Sequence, residues 1–205
     1  MDDQIKTISG WLGTGSINVF GRPFCGKDTQ GRVLAELLGG ELIGGGDILR
    51  SHHDPQKIEK VLAEGGIIPS DFYLEIVLPY LSRPEIKQKP LILSSVGRSH
   101  GEESIIMKAT TDSGHPIKAV IMLQLSEQEV WQRFAQAKTQ NDRGNRPDDQ
   151  SEALKTRLKK FEDKTEPVID FYRDKGLLIE VDGTLPKSQV TKEIIDSLSK
   201  RALGR

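Results

Sequence analysis

Residues 17–38 constrain this chain most, because they join an apolar run, a glycine-bounded loop with a lysine, and an amphipathic run. Residues 17–20 predict a buried parallel strand, and the apolar spacing over 33–38 predicts a helix. A loop at a helix N-terminus points free backbone N–H groups at one spot, where the helix dipole adds positive potential. The segment is therefore typical of a phosphate-binding P-loop, with Lys27 placing a full charge against the β- and γ-phosphates of a nucleotide.

The loop residues that we expect to hold the nucleotide are Gly21, Cys25, Gly26, Lys27, Asp28 and Thr29. The general pattern places a hydroxyl directly after the lysine, whereas here Asp28 follows and Thr29 comes one place later. A carboxylate among phosphates is electrostatically unfavourable unless it points away or lies near a metal ion. The alternative interpretation is a turn that happens to carry a lysine, but the strand before it and the helix after it favour nucleotide binding.

Strands and helices alternate along the chain, which predicts an α/β fold with a parallel sheet covered by helices on both faces. The further apolar runs that predict strands are residues 41–43, 91–93, 119–123 and 177–181. Ligands of such folds bind at the carboxyl ends of the strands. We therefore expect the P-loop, Asp47, residues 94–98 and Arg133 to converge on one cleft.

Two of the predicted helices carry specific expectations. The first covers about 71–82, with Ser70 as its N-cap and Phe72, Ile76, Val77, Tyr80 and Leu81 facing inward. The second is a long helix over 148–173 that Pro167 could kink. Ahead of the first strand, residues 1–16 are expected to form an N-terminal extension that packs on the main domain, residues 17–205.

Composition excludes several classes of protein. The 205 residues carry 29 lysines and arginines against 30 acidic residues, and this near balance argues against a general nucleic-acid or membrane-surface binder. No apolar run approaches the roughly 20 residues of a membrane span, and the N-terminus lacks a signal pattern. A single cysteine excludes an internal disulfide. We expect a monomeric cytoplasmic protein without a nucleic-acid or membrane partner.

Five segments in order resemble the adenylate kinase family of nucleoside monophosphate kinases, over about residues 17–198. The family's Gly-x-Pro-Gly-x-Gly-Lys-Gly-Thr-Gln matches residues 21–30, Ser-Thr-Gly-Asp-x-Leu-Arg matches 44–50, Gly-x-Leu-Val-Pro-Asp matches 66–71, Arg-x-Asp-Asp matches 146–149, and Val-Asp-Gly matches 181–183. Members have a P-loop NTPase-type fold and transfer the γ-phosphoryl group of ATP to a nucleoside monophosphate with Mg²⁺. The resemblance implies the same fold, with a small helical insertion at about 44–83 that binds the monophosphate.

The resemblance also implies roles for individual residues. The acceptor's phosphate would be held by Arg50 and Arg98, and its base would lie among Gly45, Ile68 and Glu102. Arg133 would stack on the base of ATP. Catalysis would fall to Lys27, Arg98, Arg146 and Arg157, which neutralise the transferring phosphoryl group. Mg²⁺ would be held through water by Thr29 and Asp47.

The loop at about 138–147 resembles the short lid of the family. It contains no cysteine, so a zinc-bearing lid is excluded. Where long-lid members have a further arginine, this chain has Ala137, so that phosphate contact is either missing or supplied by Lys138 or Arg143.

Departures from the family pattern fall at the active site. The strand-end aspartate of Asp-Gly-Phe-Pro-Arg is replaced by Ser94, so either Asp28 compensates as an outer-shell metal partner or metal binding is weak. Glu102 replaces the glutamine that reads adenine. A carboxylate only accepts hydrogen bonds, which suits the donors of cytosine or guanine, so relaxed or shifted specificity is expected unless Glu102 only caps the next helix. Gly45 replaces a pocket threonine, and Phe24 replaces a loop glycine.

Three function classes remain open on this basis. Lys27 and the arginines favour an active nucleoside monophosphate kinase with ATP and Mg²⁺ as cofactors. Loss of the strand-end aspartate favours a nucleotide-binding protein with weakened catalysis. The third class is a kinase of another P-loop family with a different small acceptor. Arg50 and Arg98 argue against this class, because they indicate a phosphorylated acceptor.

Overall fold

The computed structural model describes residues 1–50, 68–140 and 150–204, and for Arg50 and residues 138–140 it describes the backbone alone. The strands are β1 Ser16–Gly21, β2 Glu41–Gly44, β3 Leu91–Ser94, β4 Ile117–Gln124 and β5 Leu178–Asp182. The α-helices are α1 Asp2–Leu12, α2 Lys27–Leu38, α3 Gly45–Arg50, α4 Ser70–Leu81, α5 Glu102–Asp112, α6 Glu127–Gln140, α7 Ser151–Lys160, α8 Glu166–Asp174 and α9 Lys187–Ala202. Two shorter elements are a 3₁₀ turn, Pro84–Ile86, and a π-helical turn, Phe161–Thr165.

The five strands form one sheet in the order β2-β3-β1-β4-β5, and every neighbouring pair is parallel. This confirms the predicted parallel α/β sheet. Because all strands run the same way, their carboxyl ends meet at one edge, and the loops that follow them share that edge. The register places Ser94 opposite Val19 on one side and Gly44 on the other.

Two apolar cores lie on opposite faces of the sheet, because successive strand residues point to opposite sides. Ile17 and Val19 of β1 join one core, whereas Phe20 joins the other. Helices α1, α2, α6, α7 and α9 contribute to the first core, and α3, α4, α5 and α8 to the second. The expected cover of helices on both faces is therefore confirmed.

Helix α1 fixes the N-terminal segment to the first face. Its Ile8 and Leu12 are fully buried, and burying a side chain of this size stabilises by roughly 1.5–3 kcal/mol. Gln4 donates a hydrogen bond of 2.8 Å to Asp196 of α9. No helix in the described ranges combines the length and the apolar character that crossing a bilayer demands.

Three helix predictions need correction. The long helix is divided by the π-helical turn, which ends two residues before Pro167. Proline has no N–H and its ring clashes with the carbonyl four residues back, so the looser i→i+5 pattern accommodates it better than an α-turn. Ser70 is the first residue of α4 rather than its N-cap, and its hydroxyl bonds to Glu102 instead. The buried face of α4 includes Tyr73 and Leu74, whereas Phe72 and Tyr80 are only half-buried.

Candidate active site

The P-loop joins β1 to α2 at the carboxyl edge of the sheet, and Lys27 is the first residue of α2. A Cβ atom on Gly21 would lie 2.5 Å from the Cys25 Sγ atom and 2.8 Å from the Leu123 carbonyl oxygen, so only glycine fits there. Gly26 has a φ of 92°, in the left-handed region. Phe24 has a φ of 63°, so it keeps the left-handed backbone that the family's glycine would favour.

Cys25 is buried beneath this loop and is 3% exposed. Its backbone N–H donates a hydrogen bond of 3.2 Å to the Arg22 carbonyl. Burial raises the pKa of its thiol, against the opposing charge of Lys27. The side chain is therefore a space-filling group that shapes the loop.

A small cavity of about 40 Å³ lies beside the loop, and cationic side chains surround it. Lys27 comes from the P-loop, Arg98 from the segment after β3, and Arg157 and Lys160 from α7. Its remaining lining residues are Gly21, Pro23, Ser95, Phe161 and Thr165. Guanidinium and ammonium groups that converge on one point match the charge and shape of a phosphoryl group.

A larger cleft of about 660 Å³ runs from the P-loop along α2 to α9, and it contains Gly26, Asp28 and Thr29. Arg133 of α6 lies in its wall. One Arg133 nitrogen donates to the Phe24 carbonyl (3.3 Å), and the other donates to the Gly183 carbonyl (2.6 Å). These bonds lie in the plane of the guanidinium, so they fix its orientation and leave its face for stacking.

Asp28 and Ser94 face each other across the carboxyl edge. Ser94 is 4% exposed, and its hydroxyl donates a hydrogen bond of 2.7 Å to Asp28 Oδ1. Asp47, at the start of α3, folds back so that a Cβ atom on Gly44 would lie 2.5 Å from its Oδ2. Since Gly44 is opposite Ser94, both carboxylates belong to the same edge, and Thr29 lines the larger cleft together with Asp28.

The resemblance implies a Mg²⁺ ion at these donors. Carboxylate and hydroxyl oxygens are ligands that suit Mg²⁺, which normally completes its shell with phosphate oxygens and water. Within the ranges 1–50, 68–140 and 150–204, no three His, Cys, Asp or Glu side chains form a metal-binding group. Because Mg²⁺ takes one or two carboxylates together with phosphate oxygens and water, the oxygens of Asp28, Asp47 and Thr29 fit such an ion.

The residues expected around the acceptor's base lie together on the second face of the sheet. Ile68 is 4% exposed and Glu102 is 2% exposed. The Glu102 carboxylate accepts hydrogen bonds from the Ser70 hydroxyl (2.7 Å) and from the Ser99 N–H (3.1 Å). Burial raises the pKa of this carboxyl, although the bonds from Ser70 and Ser99 act in the opposite direction.

Some of the residues that the sequence predicts for the site cannot be placed, because they lie outside the described part of the chain. Arg146, Arg143 and most of the 138–147 lid lie outside the described residues, as do residues 51–67 of the insertion. The backbone of Arg50 ends α3, and its side chain lies outside the description.

Two residues at the site were missed by sequence reasoning. Lys160 lies three residues after Arg157 on α7, and that spacing places both on one helix face, so the signal was available. Tyr73 is 5% exposed, and its hydroxyl accepts a hydrogen bond of 3.1 Å from the Gly97 N–H. No local signal pointed to it, because α4 is apolar on nearly every side.

Comparison with known proteins agrees with the arrangement of the site. A model of the adenylate kinase family matches residues 19–177. An adenylate kinase of Cyanothece sp. (strain PCC 7425) is 29% identical over 181 residues, which cover 86% of this chain and 91% of the relative. One from Parvibaculum lavamentivorans is 30% identical over 190 residues, covering 89% and 92%. The chain therefore belongs to the adenylate kinase family and is a phosphotransferase of the nucleoside monophosphate kinase type.

Proposed function

We propose that this protein transfers the γ-phosphoryl group of ATP to a nucleoside monophosphate at the small cationic cavity. The observation that carries the proposal is the meeting of Lys27, Arg98 and Arg157, from three separate elements, around a volume of about 40 Å³. Phosphoryl transfer needs positioning and charge neutralisation more than covalent chemistry. Cations in a partly enclosed site supply both, since their interaction with a developing charge is little screened by water.

On the donor side, the P-loop N–H groups and Lys27 hold the β- and γ-phosphates. The larger cleft takes the rest of ATP, with the base against the face of Arg133, whose guanidinium is already fixed by backbone carbonyls. A preordered side chain loses less conformational entropy when the base stacks on it. Gly21 and Cys25 act here by shaping the loop.

On the acceptor side, Arg98 and Arg50 hold the monophosphate, and Gly45, Ile68 and Glu102 border its base. Arg146, which the resemblance to the family assigns to the transferring phosphoryl group, completes the proposed set of cations. A bound Mg²⁺ ion, held through water by Asp47, Asp28 and Thr29, would supply charge neutralisation between the β- and γ-phosphates.

A coupled assay of ATP consumption with Mg²⁺ and AMP, CMP, UMP or GMP tests the proposal. Turnover with at least one acceptor is expected. Arg157→Ala should lower kcat by about 100-fold, because it removes a charge that acts on the transition state. Lys155→Ala is the matched control on the same helix: its side chain is 63% exposed and pairs with Glu152, so activity should be retained.

Ser94, in place of the family's strand-end aspartate, favours a second candidate, a nucleotide-binding protein with weakened catalysis. Tight ATP binding with no turnover of any acceptor would select this candidate and reject the kinase.

A further inference from the structure

The side chain of Tyr73 lies directly against Gly45, a residue of the proposed acceptor site. A Cβ atom on Gly45 would lie 2.8 Å from the Tyr73 hydroxyl oxygen and 3.0 Å from the Ser95 carbonyl oxygen. The phenol therefore lies directly against Gly45, one of the three residues that border the base in the proposed function. Glycine is needed there because the tyrosine fills the place of a side chain.

Tyr73 is also tied to the phosphate end of the acceptor site. Its hydroxyl accepts a hydrogen bond of 3.1 Å from the N–H of Gly97, which directly precedes Arg98. The charges of Glu102 and Arg98 both act on the hydroxyl, with burial as the main cause that raises its pKa. The hydroxyl thus bonds to the segment that carries Arg98, while Ser70 of the same helix bonds to Glu102.

The packing around the ring leaves it little freedom. Tyr73 is 5% exposed and Glu102 is 2% exposed. Glu102 is held by bonds from Ser70, on the same helix as Tyr73, and from Ser99. Because the ring lies against Gly45, it takes up space on that side of the proposed base site, and a two-ring purine needs more space there than a one-ring pyrimidine.

We infer that Tyr73 is a specificity-determining residue that restricts the acceptor to a monophosphate with a single-ring base, cytosine before uracil. Cytosine comes first because its amino group is a donor and the Glu102 carboxylate is an acceptor, whereas uracil presents a carbonyl at the same position. The inference rests on the proposed function, and it adds the chemical class of the acceptor.

The test compares kcat/KM for CMP, UMP, AMP and GMP in the wild type and in Tyr73→Val and Tyr73→Leu, two variants that differ in the volume they remove. The wild type should prefer CMP to AMP by at least about tenfold, the range that a shaped pocket supplies. Both variants should lower the CMP/AMP ratio by about tenfold or more through the KM of AMP, with the KM of ATP unchanged. Tyr73→Phe keeps the ring and should keep the ratio.

Tyr80→Val is the matched control, because Tyr80 is on the same helix but stacks under Arg83 instead (3.6 Å from guanidinium to ring centre). Its CMP/AMP ratio should equal that of the wild type. A wild-type preference for AMP or GMP would overturn the inference and leave the kinase intact. A ratio that Tyr73→Val and Tyr73→Leu leave unchanged, or equal turnover of ribose 5-phosphate and CMP, would also overturn it.

Direct binding separates this inference from the proposed function. Calorimetric titration of CMP and AMP, with a non-hydrolysable ATP analogue present, measures selectivity even if no acceptor is phosphorylated. Tighter binding of CMP, with a preference that Tyr73→Val lowers by about tenfold or more, would support the inference while the absent turnover rejects the kinase. Equal affinities, tighter AMP binding, or no binding of either nucleotide would overturn it.

Discussion

Ser94 donates a hydrogen bond of 2.7 Å to Asp28, and this bond joins the end of β3 to the first turn of α2. The family pattern places a carboxylate on the strand and a glycine on the helix. In this chain the strand position is Ser94 and the helix position is Asp28, so the carboxylate is on the helix while the negative charge remains at the same junction. The pair explains how a carboxylate is accommodated beside a phosphate loop: a hydroxyl directs it toward the sheet edge that Asp47 also occupies.

Replacing Asp28 with asparagine should raise the Mg²⁺ concentration needed for half-maximal nucleotide binding by about tenfold, the lower end of the effect of an outer-shell partner. Asparagine keeps an acceptor for Ser94 and removes only the charge. Affinity for ATP without Mg²⁺ should stay the same or rise, because a repulsive carboxylate is gone. Mg²⁺ titrations of nucleotide binding by calorimetry, with metal removed by chelation as the baseline, measure both quantities.

The double variant Asp28→Gly with Ser94→Asp returns the carboxylate to the strand. It should recover most of the Mg²⁺ affinity that Asp28→Gly alone loses. Compensation by Asp28 would be rejected if the single variants showed the same Mg²⁺ dependence as the wild type.

Ser95→Gly should stabilise the fold by about 0.5–1 kcal/mol. Ser95 has a φ of 51°, a left-handed conformation that costs about 1–2 kcal/mol when a Cβ atom is present. Glycine removes this cost, but its greater entropy in the unfolded state offsets part of the gain in stability. The conformation is held because the Ser95 N–H donates to Val19 (3.0 Å) and Asn18 donates to the next carbonyl, that of Val96 (2.7 Å). Thermal unfolding should show a rise of about 2 °C. Ser95→Ala keeps the Cβ atom and should show no rise; equal gains in both variants would contradict the argument.

Glu102 should make the fold less stable as pH rises. Its pKa is raised above its ordinary value of 4.5 because it is buried, so the folded state binds its proton more tightly than the unfolded state. The stability that this proton contributes is complete below the unfolded pKa and is lost as pH rises through the folded pKa. Relative to Glu102→Gln, the wild type should therefore lose unfolding free energy from about pH 4.5 upward. Urea unfolding at several pH values measures the difference; a difference that grows with pH would mean that the bonds from Ser70 and Ser99 outweigh burial.

Lys160→Ala should lower kcat by about tenfold, equivalent to roughly 1.4 kcal/mol of transition-state stabilisation. Lys160 lines the cationic cavity, so in the proposed function its charge acts on the transferring phosphoryl group. Lys159, its neighbour, is exposed, and Lys159→Ala should remain within twofold of the wild type. Steady-state kinetics of both variants provide the comparison, and equal activities would remove Lys160 from the site.

The sheet, the P-loop and the edge where its residues meet could be predicted because each depends on local periodicity or on a rule for parallel strands. The orientation of α4 could not. Eight of its twelve residues are apolar or aromatic, and the other four are Ser70, Asp71, Glu75 and Pro79. The apolar spacing therefore does not indicate which face of the helix is buried, and tertiary packing alone turned Tyr73 inward. The π-helical turn could not be predicted for a related reason. It differs from an α-helix by one additional residue, which does not change the amino-acid composition of the segment in a recognisable way. The bond between Asp28 and Ser94 joins positions 66 residues apart, beyond the reach of local patterns.

The π-helical turn sets the rotational phase between the two helices that it joins. An α-helix advances about 100° per residue, so one residue accommodated in a π-turn rotates everything beyond it by about that angle. Leu154 and Leu158 pack in the core on one face of the sheet, whereas Val168 and Tyr172 pack in the core on the other. The two helices and the turn between them therefore run from one face of the sheet to the other across the carboxyl edge. Arg157 of α7 lines the small cationic cavity at that edge. Deleting a single residue from this turn would rotate α8 relative to α7. Either Arg157 would then leave the small cationic cavity or Tyr172 would leave the core, so the turn fixes the two positions relative to each other.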